Sequence, residues 1–168
     1  MTVRVALVGL PGVGKSTIGA ALARALDATF VDVDDLVTST EGASPASLLR
    51  TVGEEAFRAA EARALAFALE TPGDVVVATG GGAVESAGSR ALLSGFGTVV
   101  HLVAPAVTVL GRLDGGDRPL VAQPSVERIE ALEARRAAWY GEVSDVTVDA
   151  TGEVELVVEL LCDELAAR

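Results

Sequence analysis

The stretch that most limits what this 168-residue chain can become is GLPGVGKS, Gly9 to Ser16. It fits the pattern G-x-x-x-x-G-K-[S/T] at every position. It follows the apolar run Val3–Val8, and beyond it Ile18, Leu22, Ala25 and Leu26 recur at helical spacing. A strand, a glycine-rich turn and a helix in that order point backbone N–H groups inward at a helix N-terminus, whose partial positive charge favours phosphate. Lys15 is expected to reach the terminal phosphates of a nucleotide, and Ser16 to ligate Mg2+. Lys15 is also the one lysine in a chain with twelve arginines. An ammonium is a compact point charge where a guanidinium is a wide planar fork, so the two are not interchangeable in a narrow loop.

The rest of the chain alternates strand and helix patterns. Thr29–Asp32, DVVVAT ending at Gly80, TVVHLV and DVTVDA read as further strands. Between them lie helical stretches at Asp34–Thr40, after Ser44 as N-cap with Pro45 at the first helical position, through GEEAFRAAEARALAFALE, near Ser86–Ser94, from Pro105 to about Leu113, from about Ser125 to Tyr140, and over Glu153–Ala167. This alternation predicts an α/β domain with a parallel sheet covered on both faces. No repeat or linker breaks the chain, which reads as one domain over residues 1–168. Ligands of such sheets bind beyond the carboxyl ends of the strands. Gly9, Asp32–Asp34 and Gly80–Gly82 all fall there, so they are expected to converge.

The segment FVDVDD, residues 30 to 35, places acids at one of these strand ends. Asp32 and Asp34, two apart, would share a strand face. One reading gives Asp32 a metal-bound water and Asp34 the proton of an acceptor hydroxyl; the other is a solvated acidic turn or helix cap, which suits Asp35 well. Spacing alone leaves both open.

A net charge of −11 disfavours nucleic acid as a partner. No apolar run is long enough to span a membrane, and the N-terminus shows no leader pattern. With one cysteine, Cys162, no internal disulfide forms. A cytoplasmic protein is expected. His101 has no second histidine or cysteine pair with which to hold zinc.

Six segments together, GLPGVGKSTIG, VDVD, GEEAFRAAE, TGGGAV, RPL and EARRAAWY, resemble the shikimate kinase family in order and spacing, from about Val5 to Asp149. The resemblance implies a P-loop domain like the nucleoside monophosphate kinases, with five parallel strands in the order 2-3-1-4-5, helices on both faces and a mobile lid. It implies a phosphate loop over residues 9–17, a substrate-binding segment over about 33–61 and a lid over about 112–124. The implied reaction is ATP-dependent phosphorylation of the 3-hydroxyl of shikimate, on the route to aromatic amino acids, with Mg2+ as cofactor and a monomeric enzyme.

By the same resemblance, Gly12, Val13, Gly14, Lys15, Ser16, Thr17, Arg112 and Arg118 bind ATP. Ser16 and Asp32 hold the metal. Asp34 holds the acceptor hydroxyl, Arg58 and Arg136 clamp the substrate carboxylate, and Glu61 braces Arg58 or accepts from a ring hydroxyl. Gly80, Gly81 and Gly82 bring backbone amides to the acid. Arg118 closes onto the transferring phosphoryl group, so Lys15, Asp34 and Arg118 carry the catalysis. Arg135 is expected to face solvent. One departure stands out: the stretch after the last strand, DATGEV, lacks the arginine that members often carry near the adenine. Two rivals are a related kinase for another hydroxylated acid, such as gluconate, and a non-enzymatic P-loop switch.

Overall fold

The structure, a computed structural model, describes residues 2–113 and 124–168. Five strands, β1 (Arg4–Val8), β2 (Thr29–Asp32), β3 (Val75–Ala78), β4 (Thr98–Val103) and β5 (Val146–Asp149), form a parallel sheet in the order β2-β3-β1-β4-β5. Among the described residues eight helices connect or flank them: α1 (Lys15–Ala25), α2 (Val33–Glu41), α3 (Pro45–Val52), α4 (Glu54–Leu69), α5 (Ala87–Ser94), α6 (Ala106–Leu113), α7 (Val126–Val143) and α8 (Val154–Ala166). A short 3-10 turn, Ala83–Glu85, follows the glycine run. The fold class and strand order expected from the sequence are those observed.

The strands are short valine-rich runs because both faces are covered. Along β1, Val5 and Leu7 join one core with Ile18 and Leu22 of α1, Val109 of α6 and Val157 and Leu161 of α8. Ala6 and Val8 point the other way, into a core with Phe57 and Leu65 of α4, Leu93 of α5 and Tyr140 and Val143 of α7. The period of two along the strand thus divides the protein into three layers. Fully burying a leucine such as Leu22 contributes roughly 1.5–3 kcal/mol, so these two cores carry the fold.

The helix ends follow local chemistry. The Ser44, Ser86 and Ser125 side chains accept from the backbone N–H groups of Ser47, Ser89 and Arg128, which opens α3, α5 and α7. Pro45 takes the first position of α3, where its missing N–H is harmless. Because all five strands run parallel, the turns after β1, β2 and β3 emerge on the same edge of the sheet.

Candidate active site

At the end of β1 the chain turns sharply into α1. Gly14 caps the helix with φ of 112°, a left-handed conformation that a side chain would strain. Lys15 is buried, and its Nζ donates to the carbonyls of Gly9 at 2.9 Å and Leu10 at 3.0 Å. The ammonium therefore lies back across the mouth of the loop and ties it together, while still lining the cleft in front. Ser16 and Thr17 are exposed on that same cleft.

The cleft has a volume of about 590 Å³ and runs past both ends of the loop. On one side it is bounded by Gly12, Arg112, Ala150, Gly152 and Val154. Here Arg112 donates to the carbonyl of Val13 at 2.8 Å and to that of Ala150 at 2.9 Å, bridging the phosphate loop to the turn after β5. On the other side it is bounded by Asp32, Asp34, Asp35, Thr38, the start of α3, Phe57, Thr79 and Gly81.

The acids are arranged differently from the strand pattern. β2 ends at Asp32, and α2 begins at Val33. Asp32 and Asp34 thus do not share a strand face. Asp32, not Asp35, is the helix cap: its Oδ1 accepts from Asp34 N–H at 2.9 Å. The physical reason is that a carboxylate at this position satisfies an open N–H of the first turn. Both side chains still line the cleft. Ser16, Asp32 and Asp34 form a set of hard oxygen donors that suits Mg2+. Among the described residues no group of three or more His, Cys, Asp or Glu side chains could cage a metal alone. Phosphate oxygens and water would complete the shell, as Mg2+ prefers.

The glycine run after β3 is explained by what packs against it. A β-carbon at Gly80 would collide with Glu61 Oε1, one at Gly81 would lie 2.6 Å from the Pro11 ring of the phosphate loop, and one at Gly82 would collide with the Arg58 guanidinium. The run is bare so that a carboxylate, the phosphate loop and a guanidinium can all touch main chain.

Beside it lies a charged cluster. Arg58 donates to Glu61 Oε2 at 2.8 Å and to Glu85 Oε2 at 3.0 Å. Arg136, only 2% exposed, donates to Glu85 Oε1 through Nε at 3.0 Å and Nη2 at 2.9 Å, and to the Gly81 carbonyl at 2.6 Å. Arg135, exposed as expected, also reaches Glu85 Oε1. Burial pushes the Glu85 carboxyl up, but Arg136, with Arg135 and Arg58, more than reverses this and holds it below the usual range. Arg58 Nε and Glu61 Oε1 are buried without a hydrogen-bond partner among the described residues. Behind the cluster Tyr140 stacks on His101, ring centroids 4.1 Å apart. Burial, with the Lys15 charge adding to it, pushes the His101 imidazole down to about 4.

The structure therefore gathers Gly12, Gly14, Lys15, Ser16, Thr17, Arg112, Asp32, Asp34 and Gly81 around one cleft, while the Val13 side chain points into the core. Arg58, Glu61 and Arg136 pack behind the glycine run beside it. Arg118 and most of the lid over 112–124 lie outside the described residues. Glu85 was missed. The available signal was an acid three residues past a glycine run, but its arginine partners are 27 and 51 positions away in sequence.

A parallel sheet in this strand order, with a phosphate loop between β1 and α1 and a cleft at the strand ends, defines a P-loop kinase. A family model described as shikimate kinase matches residues 11–166. Shikimate kinase of Mycobacterium ulcerans is 42% identical over 151 residues, covering 89% of this chain and 81% of that one. Shikimate kinase 2 of Yersinia pestis is 39% identical over 173 residues, covering 100% and 98%. The solved structure of shikimate kinase from Acinetobacter baumannii in complex with shikimate superposes with a TM-score of 0.91 at 30% identity, covering 99% of this chain and 96% of that one. The chain belongs to the shikimate kinase family.

Proposed function

We propose that the chain transfers the γ-phosphoryl group of ATP to the 3-hydroxyl of shikimate, giving ADP and 3-phosphoshikimate in aromatic amino acid biosynthesis. The observation that carries this is the sharing of one cleft by the phosphate loop, Asp34 and Gly81 of the glycine run, with two arginines packed behind that run. Phosphoryl transfer needs little covalent help, so the protein mainly positions its substrates and neutralises charge.

Each residue then has a part. Gly12, Val13, Gly14, Ser16 and Thr17 cradle the phosphates, and Lys15 turns its ammonium from the loop carbonyls to the β- and γ-oxygens. Arg112 forms the wall of the base end. Ser16 and Asp32 would hold Mg2+, which neutralises phosphate charge when bound. Asp34 orients the acceptor hydroxyl and takes its proton. Arg58 and Arg136 hold the substrate carboxylate, and the Gly80–Gly82 backbone closes around it. Glu61 Oε2 accepts from Arg58, which supports the bracing role; the other role, acceptance from a ring hydroxyl, would fall to Oε1, which has no partner among the described residues. Arg118 stabilises the phosphoryl group in transit, by resemblance to the family. The chain works as one monomeric domain over 1–168 in the cytoplasm, with its phosphate loop over 9–17 and its substrate-binding segment over about 33–61. No helix among the described residues is long and apolar enough to cross a membrane.

ADP release measured with shikimate, gluconate, a nucleoside monophosphate and no acceptor tests this reading. Release that depends on shikimate is expected. Equal release with gluconate or without acceptor would overturn it.

A further inference from the structure

Glu85 has no part in the chemistry proposed above, yet it is the meeting point of the acid-binding end. Its two oxygens take different arginines: Oε2 accepts from Arg58, and Oε1 accepts from Arg136 and Arg135. It reaches them because the 3-10 turn Ala83–Glu85 follows the glycine run directly and faces α4 and α7. Two guanidiniums, those of Arg58 and Arg136, here face Glu61 and Glu85, whose side chains are 4% and 17% exposed, while Arg135 is 61% exposed and screened by water. A third acid, Glu54, approaches Arg58 only to 3.9 Å and is 72% exposed, so water screens it. The two guanidiniums and two carboxylates leave the cluster close to neutral in the free protein.

We propose that Glu85 is a specificity-determining residue, a built-in counter-carboxylate that bridges Arg58 and Arg136 and sets how steeply the acid subsite depends on the charge of its ligand. The inference rests on the reading of this end of the cleft as the acid-binding end. Its logic is that of a buried ion network. Arg136 is out of water, and a buried charge without compensation is strongly destabilising. Glu85 supplies that compensation in the free protein, and the substrate carboxylate adds to it. Without the Glu85 charge, the cluster carries one uncompensated positive unit, and an anionic ligand must make up the deficit. Binding then depends more steeply on the ligand's own charge.

The experiment compares shikimate with its neutral carboxamide in wild type, Glu85→Gln, Glu85→Asp and Arg135→Ala. The readouts are kcat/KM for each acceptor and the rise in melting temperature that each produces. In Glu85→Gln the free protein should melt lower, shikimate should raise its melting point more than it does in wild type, and the acid-to-amide ratio of kcat/KM should grow about tenfold. Glu85→Asp keeps the charge and should keep the ratio near wild type. Arg135→Ala removes a positive charge from a solvent-facing position and should lower the ratio, by about two- to threefold because water screens it.

A Glu85→Gln ratio that is unmoved, with free and bound protein destabilised alike, would reduce Glu85 to scaffolding and overturn the proposal. A ratio that falls would also overturn it. If Glu85→Gln does not fold, Arg135→Ala decides, and an unchanged or raised ratio there contradicts the proposal. A wild type that turns over shikimate normally separates these failures from failure of the functional reading. A wild type inactive on shikimate would overturn both.

Discussion

At the phosphate end of the cleft, a few consecutive residues make the site, and what they offer is mostly main chain: the Gly14 turn, the N-terminus of α1, and the Gly9 and Leu10 carbonyls that tether Lys15. At the acid end the work is done by side chains from α4, the 3-10 turn and α7, with Arg58 and Arg136 lying 27 and 51 positions from Glu85, on which they meet. The first site is rigid by backbone geometry. The second is rigid only while its charges balance. The two should therefore respond differently to substitution, and Asp34, which lines the cleft between them, should respond in a third way.

The largest effect is expected at the phosphate end. Lys15→Ala should abolish transfer while calorimetric binding of shikimate alone stays within about twofold, since the ammonium serves the loop and the nucleotide. Lys15→Arg should fail as well, because a planar fork does not fit between the Gly9 and Leu10 carbonyls. Appreciable turnover in either folded variant would break the comparison at its strongest point. Between the ends, Asp34→Asn keeps size and hydrogen bonding but loses the ability to take a proton. Its kcat should fall roughly 10²–10⁴-fold with ATP binding retained. Near-normal kcat would leave Asp34 as a residue of the first turn of α2 and nothing more.

At the acid end, Arg58→Leu should lower kcat/KM for shikimate by roughly 10–150-fold, the equivalent of about 1.5–3 kcal/mol for hydrogen bonds to a charged group. ATP affinity without shikimate should barely change. The variant should also melt lower, because Glu61 and Glu85 lose their shared partner. A loss of equal size for the carboxamide would show that Arg58 does not meet the carboxylate.

The smallest effect concerns His101. Burial and Lys15 depress its folded pKa to about 4 from 6.5, so between these values the unfolded chain binds a proton that the folded protein does not. Stability is therefore fully present above pH 6.5 and is lost as pH falls towards 4. Glu85, whose carboxyl is held below 4.5, adds its own loss only below that pH. Melting temperatures between pH 5 and pH 6.5 isolate His101, and His101→Phe, which keeps a ring for Tyr140, should flatten the curve there. An unchanged slope would show that another group titrates.

The same contrast explains what could be read in the sequence. The phosphate loop, the five strands and the Ser44 cap of α3 rest on local chemistry, and a local pattern survives in the letters. The FVDVDD stretch was half legible: its acids do reach the cleft, but capping by Asp32 starts α2 a residue after the strand ends and removes the shared strand face. The glycine run was legible as a close approach, but not which groups approach it. Glu85 left only a weak signal, because a single acid after a glycine run looks like surface until α4 and α7 bring their arginines to it.

The central claim is that the phosphate end delivers its γ-phosphoryl group to one hydroxyl of an acid held at the other end. The most direct measurement is phosphorus and proton NMR of the product formed from ATP, Mg2+ and shikimate. A single phosphate ester coupled to the ring proton at carbon 3, formed in step with ADP, is the expected result. Inorganic phosphate in place of an ester, or an ester at another hydroxyl, would contradict the account.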